Sequence, residues 1–191
     1  MGGLIDVVVC SANAHKVAEL HPLFPDWSLE LLDASPLPPE DGETYVDNAR
    51  IKARFGLAAT SQWVIADDSG IEVAALDGAP GVQTARWAEG RHVEKLLAAL
   101  EGRDNRAARY VCELVLLDPD GREHRGTGVL RGWIALATAG SEGFGFDPVF
   151  IPEGETQTVA ELGDTWKETH SHRALAAQDL LRNVTGSGAP S

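Results

Sequence analysis

Ile5-Asp6-Val7-Val8-Val9-Cys10 runs directly into Ser11-Ala12-Asn13-Ala14-His15-Lys16, and the fold class follows from that junction. A short continuous apolar run with three valines is a strand covered on both faces. The polar tripeptide Ser11-Ala12-Asn13 ends it, and a helix follows that sets Val17 and Leu20 on one face until Pro22 stops it near His21. Strand, polar turn and helix make an α/β unit, a frequent layout for holding phosphate on the free N–H groups of a helix start.

The rest of the chain continues in the same style. Residues 29–32 read as a second strand, and the loop 33–42 is stiffened by Pro36, Pro38 and Pro39. A long helix is predicted over 44–59, with Thr44 as N-cap, Asp47 as its reciprocal partner, and Asn48 and Lys52 four apart on one face. Residues 63–66 are a buried strand ending in the turn-like Asp67-Asp68-Ser69-Gly70, after which Ile71 and Val73 alternate as a further strand. Asp77-Gly78-Ala79-Pro80-Gly81 is turn chemistry, and a helix over 92–100 with a Val93, Leu96, Leu97, Leu100 stripe ends at Gly102. Residues 109–117 form the strongest strand, turned by Asp118-Pro119-Asp120-Gly121 into a return strand over 123–134 that Gly126, Gly128 and Gly132 should make irregular. A short strand at 149–151 follows the loop 143–148, and a last helix starts near Ser171 with Ala174, Ala177 and Leu181 inward. With no internal repeat and no linker, residues 1–185 are expected to form one domain, and 186–191, small and polar, a flexible tail.

Composition narrows the function. The 191 residues carry a formal charge of −13, which repels polyanions, and no run of Lys or Arg offers phosphate contacts, so no nucleic-acid partner is expected. There is no basic, apolar leader and no segment long enough to span a bilayer, so a cytoplasmic protein without membrane contact is expected. Cys10 and Cys112 each sit in a strand-like run and are read as buried thiols.

Several constellations carry chemistry. Ser11, Asn13 and Lys16 surround a helix start with a hydroxyl, an amide and an ammonium, which resembles a phosphate cradle, although Ser and Asn are also ordinary caps. Adjacent Asp67 and Asp68 repel each other and persist where a cation or hydrogen bonds offset the cost; a solvated turn is the alternative. Glu40 and Asp41 give a second acidic group on the stiff loop. Gly143-Phe144-Gly145-Phe146-Asp147 frames two rings that suit either stacking on a base or packing as a hinge, and Ser171-His172-Arg173 reads as a helix opening with donors or as a plain cap.

Taken in order, these blocks resemble the inosine/xanthosine triphosphate pyrophosphatases, the Ham1-like family. The resemblance is carried by residues 11–16, Asn48-Ala49 with Lys52-Ala53, 66–70, 78–81 with Ala85-Arg86-Trp87, 143–150 and 171–173, nearly the whole chain. There are departures: Ser11, Ala12 and His15 stand where the family has Thr and two glycines, which restricts backbone approach to phosphate, and Phe146 stands where a Tyr or Trp is usual.

The resemblance implies an α/β fold with an elongated mixed β-sheet flanked by helices, two lobes with a central cleft, and a homodimer. It implies hydrolysis of ITP, dITP and XTP to the monophosphate and pyrophosphate with Mg2+ as cofactor. Ser11, Ala12, Asn13, Ala14, His15, Lys16, Asn48 and Lys52 would line the triphosphate, with a hydroxyl from Ser69, and Glu40 and Asp68 would hold the metal. Asp68 would accept the proton of a water attacking the α-phosphorus, with Asp67 supporting it. Phe144 would stack on the purine within the Gly145, Phe146 loop, and Asp147, Lys167, His172 and Arg173 would surround its polar edge, the donor-only Arg173 favouring a 6-oxo group over the 6-amino group of adenine. Two other functions share these features: a pyrophosphatase acting on modified pyrimidines, and a sensor that binds the nucleotide without consuming it.

Overall fold

The computed structural model describes residues 5–87 and 90–186. In chain order they form β1 (Ile5–Val9), α1 (Ala14–Leu20), β2 (Trp27–Leu31), α2 (Tyr45–Thr60), β3 (Trp63–Val73), α3 (His92–Ala99), β4 (Ala107–Leu117), β5 (Glu123–Ile134), β6 (Phe150–Pro152), α4 (Val159–His170) and α5 (His172–Gly186). The strands make one sheet in the order β2-β1-β3-β4-β5-β6. β1 pairs in parallel with β2 and β3 while β5 and β6 pair antiparallel, so the sheet is mixed and the class is α/β, as expected. No described helix is long and apolar enough to cross a membrane.

By its contacts the chain divides into two compact units. The first takes residues 1–68, 112–128 and 173–191; the second takes 69–111 and 129–172. Strand period sets the core of the first unit. Alternate residues of a strand point to opposite faces, so Val7, Val9, Ile65, Cys112, Leu114 and Leu116 pack against Leu20 of α1 and Ala176, Ala177 and Leu180 of α5. The residues between them, Val8, Cys10, Val64, Ala66, Val115 and Leu117, pack against Ala49 and Ala53 of α2. The second unit gathers Ile71, Val73, Leu96, Leu100, Tyr110, Ile134, Phe146, Val149, Phe150 and Val159. Cys10 and Cys112 are both free and buried, and burial pushes the Cys112 thiol up to about 12.

Four expectations are corrected. Asp67 and Asp68 do not end a strand: β3 passes through them without a break, and both are buried. Turn-like composition is overridden there by partners that compensate the charge, described below. The return strand is likewise unbroken, because its glycines admit close neighbours instead: a Cβ on Gly126 would stand 2.1 Å from the Ala176 carbonyl oxygen, and one on Gly132 2.1 Å from that of Ile151. α4 was not anticipated. Thr158 and Glu161 form a capping box at its start, and Gly163, at φ +84°, interrupts it and breaks the apolar period by which a helix is recognised. Finally, α5 extends through Gly186, while 187–191 of the expected tail lie outside the described residues.

Candidate active site

In the first unit, α1, α2, α5 and β3 bring together six of the anticipated side chains, Lys16, Asn48, Lys52, Asp67, Asp68 and Arg173, with Glu40 from the loop before α2 and with Glu19, which was not anticipated. The alternation of β3 continues past the core. Ile65 faces α1 and α5, so Asp67, two residues on, does too; Ala66 faces α2, and so does Asp68. Two adjacent carboxylates are thereby sent to opposite faces of the sheet with separate partners.

Asp67 has no exposed side-chain surface. Its Oδ2 lies 3.1 Å from Lys16 Nζ of α1 and accepts from Arg173 Nη2 of α5 at 3.0 Å. Its Oδ1 is buried and makes no hydrogen bond. Burial alone would raise its pKa, but Lys16, Arg173 and Lys52 outweigh burial and hold the carboxyl well below the usual carboxylate range.

Asp68 is less enclosed. Its Oδ2 accepts from Asn48 Nδ2 at 3.0 Å, and its Oδ1 lies 4.0 Å from Lys52 Nζ. Asn48 is wholly buried, and its orientation is set at both ends, since its Oδ1 accepts from the Gly42 amide at 2.8 Å. Lys52 also pairs with Glu40, tying the proline-stiffened loop to α2. Here burial prevails over Lys52, Lys16 and Asn48 and pushes the Asp68 carboxyl above its ordinary value. The Lys52 ammonium is raised as well, because Asp67, Asp68 and Glu40 outweigh its own burial.

The start of α1 is arranged differently from a bare anion cradle. Asn13 caps it, its Oδ1 accepting from the His15 and Lys16 amides at 3.0 and 3.3 Å, and Ser11 Oγ accepts from the Asn13 amide at 3.2 Å. Two of the amides that were expected to face phosphate are thus already satisfied. Ser11 is buried, Lys16 half-buried, and Ala12, Ala14 and His15 are exposed.

Arg173, expected beside a base, is buried. Its guanidinium is 1% exposed, with one nitrogen on Asp67 and the other on Glu19 of α1. Glu19 is the residue that sequence reasoning missed. On a helix three positions after Lys16 it looks like any surface carboxylate, and its partner lies 154 residues away in the chain.

The second unit holds the aromatic loop. Asp147 organises it: Oδ2 accepts from the Phe144 amide at 2.9 Å and from Lys167 Nζ at 2.8 Å, and Oδ1 accepts from the Tyr110 hydroxyl at 3.1 Å. Gly143, at φ +73°, makes room for that carboxylate, since a Cβ there would stand 2.2 Å from Asp147 Oδ2. Lys167 Nζ lies 4.8 Å from the half-buried Phe144 ring. His172 stacks on Tyr110 at 4.7 Å and 13°. Phe146, expected to line the substrate, is instead a core residue, 2% exposed and edge-on to His92 at 5.7 Å. A glycine on each side lets the chain turn one ring in and the other out. Gly145, at φ +63°, has open space around its Cα, and Ser69 follows Asp68 on β3, half-buried.

The donors here are hard carboxylate oxygens, which fit a hard divalent cation. Among the described residues no three His, Cys, Asp or Glu side chains come together as a protein-only metal cage. Glu40 and Asp68 instead share one cation, the Lys52 ammonium, so their negative potential already converges on a positive charge. Two carboxylates completed by water and phosphate oxygens are an ordinary magnesium shell.

Comparison with known proteins places the chain in a family. The Ham1 family model matches residues 7–183. The chain is 40% identical to a dITP/XTP pyrophosphatase of Bdellovibrio bacteriovorus, over 94% of this chain and 98% of that protein. It is 41% identical to the dITP/XTP pyrophosphatase of Deinococcus deserti, over 90% and 86%. Among solved structures it is similar to the Staphylococcus aureus Ham1 protein, with a TM-score of 0.85 at 34% identity over 95% of this chain and 99% of that one. It is also similar to a nucleoside-triphosphatase, dITP/XTP pyrophosphatase, from Mycobacterium abscessus, with a TM-score of 0.72 at 38% identity over 91% and 98%.

Proposed function

The chain belongs to the Ham1 family, and from that premise we propose that it hydrolyses the deaminated purine nucleoside triphosphates ITP, dITP and XTP to the monophosphate and pyrophosphate. The observation that carries this reading is the division of Asp67 and Asp68 between two faces of β3, one charge-compensated and locked, the other raised in basicity beside a paired Glu40.

Asp68 is the proton acceptor. A general base needs a pKa moved toward the working pH and a fixed orientation; burial supplies the first and Asn48 the second. It takes a proton from a water directed at the α-phosphorus, while Lys16, Lys52, Ser11, Asn13 and the hydroxyl of Ser69 hold phosphate oxygens. Magnesium, held by Glu40 and Asp68, supplies charge neutralisation on the departing pyrophosphate when bound. The purine stacks on Phe144, and Lys167 and His172 donate to its polar edge. Lys167 is donor-only and held by Asp147, so it favours a 6-oxo group and opposes the 6-amino group of adenine. A buried unmatched donor costs about 1–3 kcal/mol, about five- to 150-fold against ATP for one contact.

The same reading makes residues 1–185 one domain of two lobes, for which the two compact units are support, and makes the protein a cytoplasmic homodimer. Incubation with Mg2+ and ITP should yield IMP and pyrophosphate, with no turnover in EDTA. Release of orthophosphate would contradict the position of cleavage.

A further inference from the structure

Resting on that reading, we infer that Glu19 is a positioning residue of the site, acting through Arg173 to fix the carboxylate of Asp67, the chain neighbour of the proposed base Asp68. Four side chains from three elements form an electrically balanced set: Lys16 and Glu19 from α1, Arg173 from α5 and Asp67 from β3. Both cations reach Asp67 through the same oxygen, Oδ2. The other oxygen, Oδ1, is buried and accepts no hydrogen bond, so the orientation of the carboxylate rests on the contacts at Oδ2.

A guanidinium beside a carboxylate prefers to take both oxygens with two parallel N–H groups. Arg173 instead divides its two terminal nitrogens, Nη2 on Asp67 and Nη1 on Glu19. Glu19 therefore fixes the angle at which Arg173 meets Asp67, and it shares the charge of a guanidinium that is 1% exposed. Without the Glu19 charge, Arg173 loses that second hold and the Asp67 carboxylate turns with it. The effect falls on the chemical step rather than on binding, and it is the same for every base.

The test is a comparison of wild type, E19Q and E19D with Mg2+ and ITP, ATP serving as the discriminating nucleotide and circular dichroism as the check on folding. The E19Q variant should lose about ten- to hundredfold in kcat, the size expected when a reacting group is slightly misplaced, with KM changed by less than about threefold. E19D, which keeps the charge on a shorter arm, should recover part of the loss, and the ITP-to-ATP selectivity should be unchanged in both. A folded E19Q with wild-type kcat overturns the assignment, as does a variant whose selectivity collapses while its kcat holds, since Glu19 would then serve base recognition. A separate readout needs no turnover: in urea denaturation, E19Q and R173K should be non-additive, and strict additivity would break the proposed link between the two residues. A wild type that leaves ITP intact would defeat the pyrophosphatase reading by itself, and the denaturation cycle would still decide whether Glu19 and Arg173 act as a unit.

Discussion

The two faces of β3 treat neighbouring aspartates in opposite ways. Toward α1 and α5, Asp67 meets two cations at 3.0–3.1 Å and is held ionised; toward α2, Asp68 meets an amide at 3.0 Å and a lysine at 4.0 Å, and burial prevails. One residue, half a strand period, separates a carboxylate paired with two cations from one that burial makes more basic. Chemical identity and sequence position scarcely differ between them; the helix that covers each face decides the role.

Substitutions at the two positions should therefore diverge. The largest effect belongs to Asp68→Asn, which should cost kcat on ITP about 10^2- to 10^4-fold, the usual contribution of a general base. The same change should leave thermal stability equal or higher. Because the folded-state pKa of Asp68 is raised, its ionised form opposes folding at neutral pH and that opposition eases on acidification, so removing the charge removes the cost. A marked fall in Tm would show that Asp68 is structural and erase the contrast.

Asp67→Asn should differ in stability, destabilising the protein by about 3–5 kcal/mol in urea titration, besides any loss of kcat, because Lys16 and Arg173 lose their shared carboxylate in the interior. The sign with pH follows. The Asp67 carboxyl is depressed in the fold, so its stabilisation is complete above the ordinary carboxylate range and is lost as pH falls through that range and below. Wild-type stability should decline on acidification, and the decline should be shallower in Asp67→Asn. Equal acid sensitivity in the two proteins would contradict the assignment.

Smaller effects belong to the aromatic loop of the second unit. Phe144→Ala should weaken ITP by about 1–3 kcal/mol, a rise in KM of about five- to 150-fold if stacking on the base is its role, while inhibition by inorganic tripolyphosphate stays unchanged. If both ligands weaken together, the ring is not dedicated to the base. The smallest effect is expected at Arg109, whose ion pair with Glu72 is 45% exposed on the arginine side; Arg109→Ala should cost no more than about 1 kcal/mol.

Much of this arrangement was legible in the sequence. The valines of β1, the Asn13 and Thr44 caps, and Asn48 and Lys52 four apart on α2 are local signals, and local structure follows them. β3 was harder, because Asp-Asp-Ser-Gly carries turn composition and only distant cations and the Asn48 amide let it remain extended. α4 carried its capping box in plain view, but Gly163 broke the period that would have extended it. Phe144 and Phe146 are chemically identical within one glycine-framed loop, so only the packed core shows which ring is inside. Glu19 had no local signature at all, since what distinguishes it is a guanidinium brought from α5.

The central claim, that the first unit's acids direct water to the phosphorus nearest the ribose, is tested most directly by turnover of ITP with Mg2+ in 18O-enriched water followed by mass spectrometry of both products. The account predicts one heavy oxygen in IMP and none in pyrophosphate. Heavy oxygen in the pyrophosphate instead would place the attack on the β-phosphorus and contradict the roles given to Asp68 and its partners.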